Sequence, residues 1–293
     1  MFENLRFFNS FGNGDLFNSR EFVKELIEKI PAENYYYHHS KSERMFQDIP
    51  KLKSVRVTER CFNDRGFSQI GNDLYINTWI GRDSKYVLPG VGCTIAMNLR
   101  MYNEILNQAG LDIRLSKELI DYIPTIDFTK LDNKYLDNIN KFVEKYSHKR
   151  KILWSTGHVQ SNQAINFDFE PMINIISGEY SDILFIVTEP SGVMRKNIHY
   201  TGDIIKSEDG FDLNEISYLS LFTDTFIGKP AGPFVFAQNK LNMLNDKKAL
   251  LAFSYSPNCI SLALTFVTPI MKVWSNASDI ETVCEHIRKV IDR

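Results

Sequence analysis

Three stretches of the 293-residue chain set small, polar and titratable side chains together, as work on a phosphorylated substrate requires. The first is Gly12-Asn13-Gly14-Asp15. Its glycines let the backbone approach a ligand closely, and a helix starting beyond them presents free N–H groups and a positive dipole end. Asp15 at such a place is favoured as the anion. It reads either as a general base or as the cap of a turn. Asn13 and Gly14 immediately precede it in the same loop. A dinucleotide fingerprint is weak here, because its third glycine position holds Phe17.

The second stretch is Ser155-Thr156-Gly157-His158, where small residues can hold a diphosphate and His158 can donate to it or titrate near neutrality. The plainer reading of His158 is a loop histidine without a task. The third is Ile227-Gly228-Lys229-Pro230-Ala231-Gly232-Pro233, with a helix expected near Phe234. A strand end, a glycine bend and a helix start make an anion cradle, to which Lys229 adds charge, or else a simple turn. Glu189, after an apolar strand, can accept hydrogen bonds from ribose hydroxyls or a base. Arg82 and Asp83, beyond Trp79, could line an acceptor pocket, as any exposed loop pair could.

Other chemistries find little support. His38 and His39 are adjacent, so in a strand they point to opposite faces and cannot share a metal. No G-x-S-x-G elbow or Gly-Lys-Ser/Thr phosphate loop occurs. Cys61, Cys93, Cys259 and Cys284 lack metal or redox spacing and read as buried thiols of a reducing compartment. Neither a metal nor a bound cofactor is expected.

The elements that must hold these residues alternate. Strands are expected at Leu5–Ser10, Tyr35–Tyr37, Leu74–Trp79, Ile152–Trp154, Ile183–Val187, Ile198–Tyr200, Thr225–Ile227, Ala249–Phe253 and Ile270–Trp274. Asn18 with Glu21, Asp212 with Glu215 and Ser278 with Glu281 have capping-box spacing and mark helix starts. Helical stripes also cover Ile95–Leu106, Leu115–Tyr122, Tyr135–Tyr146 and Phe169–Ile176. Strand, loop, helix, strand is the opening of a doubly wound parallel sheet, and ligands of such sheets bind beyond the carboxyl ends of the strands. The charged run Ser147–Lys151 precedes a second such start. The expected class is therefore α/β, with two Rossmann-like domains, 1–148 and 149–276, and a final helix in 277–293.

Bulk composition fits this. Hydrophobic residues make up 43% and charged residues 24%, with a net charge of −2. No global basic field exists to hold a nucleic acid. No window offers the ~20 apolar residues of a membrane span, and no leader pattern opens the chain. A cytoplasmic protein is expected, with peripheral membrane contact left open and oligomeric state unread.

Gly14-Asp15-Leu16, followed by Ser19 and a helix, resembles the N-terminal signature of the heptosyltransferase-like glycosyltransferases, family 9. Leu219-Ser220-Leu221, Asp224, Ile227-Gly228, Gly232-Pro233 and Ala237 resemble its second signature. The resemblance implies a GT-B fold: two Rossmann-like domains facing across a cleft, with the last helix crossing back to the first. It implies inverting, metal-independent transfer from a nucleotide-diphosphate sugar to a glycan acceptor, with Asp15 as base. The 1–148 domain would bind acceptor through Asn13, Arg82 and Asp83. The 149–276 domain would bind donor through Ser155, Gly157, His158, Glu189, Lys229, Gly232, Pro233 and Phe234, with Gly14. Where the family has Asp-Ser or Asp-Thr before Gly-Pro and a His after it, this chain has Pro230-Ala231 and Phe234–Phe236, which implies a distant relative using another nucleotide sugar. An epimerase or hydrolase of the same fold, or a non-catalytic nucleotide-binding protein, are the alternatives.

Overall fold

The computed structural model describes residues 1–57, 66–79, 94–160, 162–255, 257 and 268–293. They divide into two units, the described residues up to Lys130 and those from Leu131 onward. The expected boundary at 148/149 moves to 130/131 because the helix before it is already committed to the second unit. That helix, α3 (Asn133–Lys145), packs on later helices there: Asn138 Nδ2 donates to the Ile205 carbonyl at 3.1 Å, and Tyr218 OH to Asn140 Oδ1 at 2.9 Å.

In the first unit, β1 (Phe2–Phe8) lies between β2 (Ala32–His39) and β5 (Asp73–Asn77), both parallel to it. The strand β3 (Leu52–Arg56) adds to β2, and β4 (Phe67–Ile70) runs antiparallel to β5, giving the order β3-β2-β1-β5-β4. Period-2 alternation fixes the faces. Leu5, Phe7, Tyr37, Leu74 and Ile76 are buried against α1 (Asn13–Lys29) and α2 (Ile95–Gln108). Phe22 of α1 stacks on Tyr102 of α2 at 4.8 Å and on Tyr122 at 4.3 Å.

Among the described residues, α1 and α2 cover that face of the sheet. Its other face carries a half-exposed polar ladder. Arg6 Nε donates to Asp73 at 2.8 Å, Asn4 donates to Asp73 at 2.6 Å, and the Arg6 guanidinium lies 4.7 Å from the Tyr36 ring centre. Two further expectations change. Leu115–Tyr122 yields only a short 3-10 turn at Leu119–Tyr122. Helix α1 starts at Asn13, not after Asn18, because Gly12 stays extended and Asp15 Oδ2 accepts its N–H at 3.1 Å. Ser19 is then interior and bonds the Leu16 carbonyl and Tyr37 OH. Arg20 is fully buried in an ion pair with Asp48, tied also to the Met45 and Thr125 carbonyls.

The second unit holds β6 (Lys151–Ser155), α4 (Glu170–Glu179), β7 (Leu184–Val187) and β8 (Ile198–Tyr200), then α5 (Thr201–Ile205) and α6 (Leu213–Leu219). There follow β9 (Thr225–Gly228), α7 (Gly232–Phe236), α8 (Lys240–Met243), β10 (Ala249–Phe253), β11 (Met271–Ser275) and α9 (Ile280–Ile291). The sheet order is β11-β10-β9-β6-β7-β8, with every pairing parallel. Counted from β6 this is 3-2-1-4-5-6 read from the β8 edge, the Rossmann order, with its switch point between β6 and β9. Both β6 and β7 are buried along their whole length, as a sheet covered on two faces requires.

Helix α9 belongs to the second unit. Val283, Cys284, Ile287, Val290 and Ile291 pack in one core with Ile173, Ile176 and Leu251, and Arg288 makes two 2.8 Å hydrogen bonds to Glu179. Its cap is Asp279, accepting from Thr282 N at 2.9 Å, one residue beyond the expected Ser278. Among the described residues no helix is long and apolar enough to cross a membrane.

Candidate active site

Parallel strands put the carboxyl ends of β6, β7 and β9 on one edge of the second sheet, and all the expected donor residues of this unit lie at or beyond those ends. In register, Ser155 is the partner of Gly228. A side-chain carbon on Gly228 would lie 2.8 Å from both Ser155 Cβ and the Ser155 carbonyl oxygen, so only glycine lets β9 approach β6 this closely. Ser155 is buried and its Oγ has no hydrogen-bond partner. An unsatisfied buried hydroxyl costs free energy unless a ligand or water completes it.

The loop after β6 is tied to the loop after β7 by a reciprocal pair that the sequence reading did not single out. Thr156 N–H donates to Thr188 Oγ1 at 3.1 Å, and Glu189 N–H donates to Thr156 Oγ1 at 3.1 Å. This sets the Glu189 carboxylate over Gly157, where a side-chain carbon would stand 2.8 Å from Glu189 Oε1. Glu189 and His158 are exposed. A cavity of about 570 Å³ opens between the connections that follow β6 and β7, lined by Asp168, Glu170, Asn174, Gly192, Met194 and Arg195. That is room for a nucleoside-sized ligand.

Lys229 and the residues after it differ from expectation. The Lys229 side chain is fully buried. Its Nζ donates to the Phe167 carbonyl at 2.7 Å and lies 5.0 Å from the ring centres of both Phe167 and Phe169. Burial lowers its pKa, opposed by the charges of Glu189 and Asp168. Its ammonium is thus folded back beneath the loop, not extended over it. Helix α7 starts at Gly232 with Pro233 in its first turn. Proline has no N–H, so the cradle offers the amides of Gly232 and Phe234 only. The Phe234 ring is core.

In the first unit, Asp15 is the third residue of α1 and half-buried. Burial raises its pKa, against the lowering effect of the Gly12 and Asp15 N–H groups and the Lys41 charge. Gly14 and Asn13 share this first helical turn, and Asn13 Oδ1 is buried without a partner. Below them Tyr37 OH bridges Ser19 Oγ at 2.9 Å and Thr78 Oγ1 at 2.5 Å. Arg82 and Asp83 lie outside the described residues.

Among solved structures, E. coli heptosyltransferase WaaC with ADP matches 99% of this chain and 99% of its own, with a TM-score of 0.55 and 7% identity. The glycosyl transferase family 9 protein from Veillonella parvula DSM 2008 matches 98% of this chain and 91% of its own, with a TM-score of 0.53 and 11% identity. E. coli ADP-heptose lps heptosyltransferase II matches 99% and 98%, with a TM-score of 0.50 and 11% identity. The chain has the fold of these transferases. The expected GT-B class, with Rossmann-like units, therefore stands. No family model matches the sequence, and no curated protein matches it.

Proposed function

We propose that the chain is an inverting glycosyltransferase that moves a sugar from a nucleotide-diphosphate donor to a hydroxyl of a glycan acceptor. The observation that carries this reading is the orphaned Ser155 hydroxyl at the switch point of a 3-2-1-4-5-6 sheet. That is where such sheets take phosphorylated ligands. Support comes from fold-mates named as glycosyltransferases, one of them solved with ADP. In this reading Ser155, Gly157, His158 and the Gly232 and Phe234 amides hold the diphosphate, and Glu189 takes the ribose hydroxyls.

Asp15 serves as base. It takes the proton of the acceptor hydroxyl, whose oxygen bonds to the anomeric carbon as the carbon–phosphate oxygen bond breaks. The nucleoside diphosphate leaves with the electron pair, and the anomeric centre inverts. The raised pKa of Asp15 suits a base working near neutrality. Asn13 orients the acceptor. The chemistry needs no metal and no cofactor beyond the donor, and the protein works in the cytoplasm without a nucleic acid partner.

Thermal unfolding of the full chain with a panel of nucleoside diphosphates tests this. The right nucleotide at a hundred times its Kd should stabilise by about 2.7 kcal/mol. The matching sugar donor should then be consumed only when an acceptor is present. No response to any nucleoside diphosphate would remove the reading, and donor turnover without acceptor would point to an epimerase or hydrolase.

A further inference from the structure

A second cavity, of about 370 Å³, lies in the second unit between α3, β8 and α5. It shares no residue with the strand-end loops. Three lysines line it: Lys141 and Lys145 from α3, and Lys206, which ends α5. None of the three ammonium groups is in an ion pair among the described residues, and the cavity's single acidic side chain is Asp203. Lys141 and Lys145 are one helical turn apart, a like-charge spacing that weakens a helix when nothing neutralises it. The chain as a whole carries −2, so this cluster runs against the overall charge.

Lys206 adds a second, independent sign. Its φ of 59° is the one positive φ of a non-glycine residue among the described residues. Glycine or asparagine is the usual residue at a helix end in this conformation. A lysine there costs backbone energy, and strain of this kind gathers at functional positions. The floor is aromatic. His199 meets Phe142 edge-on at 5.1 Å and Tyr146 at 5.0 Å, and its Nε2 is buried without a partner. Burial, then the charge of Lys145, lowers the His199 pKa, with Lys149 adding to the effect against Asp203. The ring is therefore neutral at pH 7 and leaves the lysines as the cations of the site.

We propose that this cavity binds a phosphate ester, its anion seated among Lys141, Lys145 and Lys206 and its body against the Tyr146–His199 floor. A free sugar phosphate and a phospholipid headgroup offer the same chemistry, and the volume suits either. The proposal is independent of the donor site, since it neither uses nor requires the strand-end loops.

The full chain should be titrated calorimetrically with glucose 1-phosphate, and sedimented with phosphatidylcholine vesicles with and without phosphatidylglycerol. Heat with the first probe identifies a free ester as ligand, and sedimentation only with phosphatidylglycerol identifies a headgroup. In either arm Lys141→Glu with Lys145→Glu should weaken binding by at least about tenfold. Lys206→Gly removes the third charge while relieving the positive φ, so it should melt no lower than the parent and still bind more weakly. The proposal is overturned if neither probe binds, or if both variants bind as the parent does.

Discussion

Ser155 and Gly228 are register partners across β6 and β9, and the missing side chain of Gly228 is what holds the switch point together. The first added carbon would meet a carbonyl oxygen and a Cβ at 2.8 Å, neither of which can swing aside. Gly228→Ala should therefore destabilise by about 1–3 kcal/mol. It should also weaken nucleoside diphosphate binding, because the strand ends that carry Ser155 and Lys229–Gly232 must part. Denaturant unfolding and calorimetry check the two effects, and an Ala variant of parental stability would show that the sheet relaxes freely here.

Asp15→Asn should lower the rate at least about a hundredfold while leaving donor affinity intact, since general bases contribute on that order. The pH profile gives a second check. A carboxylate base acts ionised, so the rate should fall as pH drops through a pKa held above the usual range by burial. Stability gives a third, with the sign as follows. The unfolded carboxyl ionises near pH ~4, while the folded one holds its proton to higher pH. Stability from this group is thus full below the unfolded pKa and is lost as pH rises through the folded one. The Asn variant, which still accepts from Gly12 N–H, should gain on the parent from about pH 4 upward. Equal melting temperatures across that window would mean Asp15 is not desolvated.

Much of this was legible in the sequence, and the misses have physical causes. The wholly apolar strand Ala249–Phe253 came out with its observed ends, as did the short Ile198–Tyr200. The common edge that carries Ser155, Gly157, Glu189 and Gly232 followed from strand ends, because parallel topology alone puts those ends together. The start of α1 was missed because Asn18 and Glu21 have capping spacing yet are interior, while the true cap is a backbone N–H of a glycine. The role of Lys229 was misread because sequence shows a charge after a strand but not the carbonyl and rings that turn it inward. The Thr156–Thr188 clamp left no local signal, since it joins residues far apart in the chain. The domain boundary was misplaced because the charge run Ser147–Lys151 follows α3, and only packing shows which unit α3 serves.

Lys248 gives a stability test away from the active site. It is buried, and its Nζ donates to the Ser220 and Leu221 carbonyls and to Asn242 Oδ1 at 2.8, 2.9 and 2.7 Å. Burial pulls its pKa down to about 8. The unfolded lysine titrates near ~10.4, so between the two values the unfolded chain holds more protons and stability rises with pH. Lys248→Met should abolish that rise. At pH 7 it should also cost about 2 kcal/mol, because three acceptors lose their donor. Urea unfolding from pH 7 to 10 reads both, and an unchanged slope in the variant would assign the rise to another group.

Lys229→Met separates two roles for the lysine after β9. If its ammonium reached a diphosphate, removing it would cost a charge-assisted hydrogen bond and at least about tenfold in nucleotide affinity. In the structure the ammonium is spent on the Phe167 carbonyl and two aromatic faces, under a loop and out of solvent. Methionine keeps the length and apolar contact of the stem while removing a desolvated charge. One carbonyl is left unpaired, so the two stability terms oppose each other and the net change should stay within about 1.5 kcal/mol. Nucleoside diphosphate affinity should fall less than about threefold, since the Ser155 hydroxyl and the Gly232 and Phe234 amides remain. Calorimetry with the nucleotide found by thermal shift decides it. A tenfold loss at parental stability would mean that Lys229 swings out to the ligand.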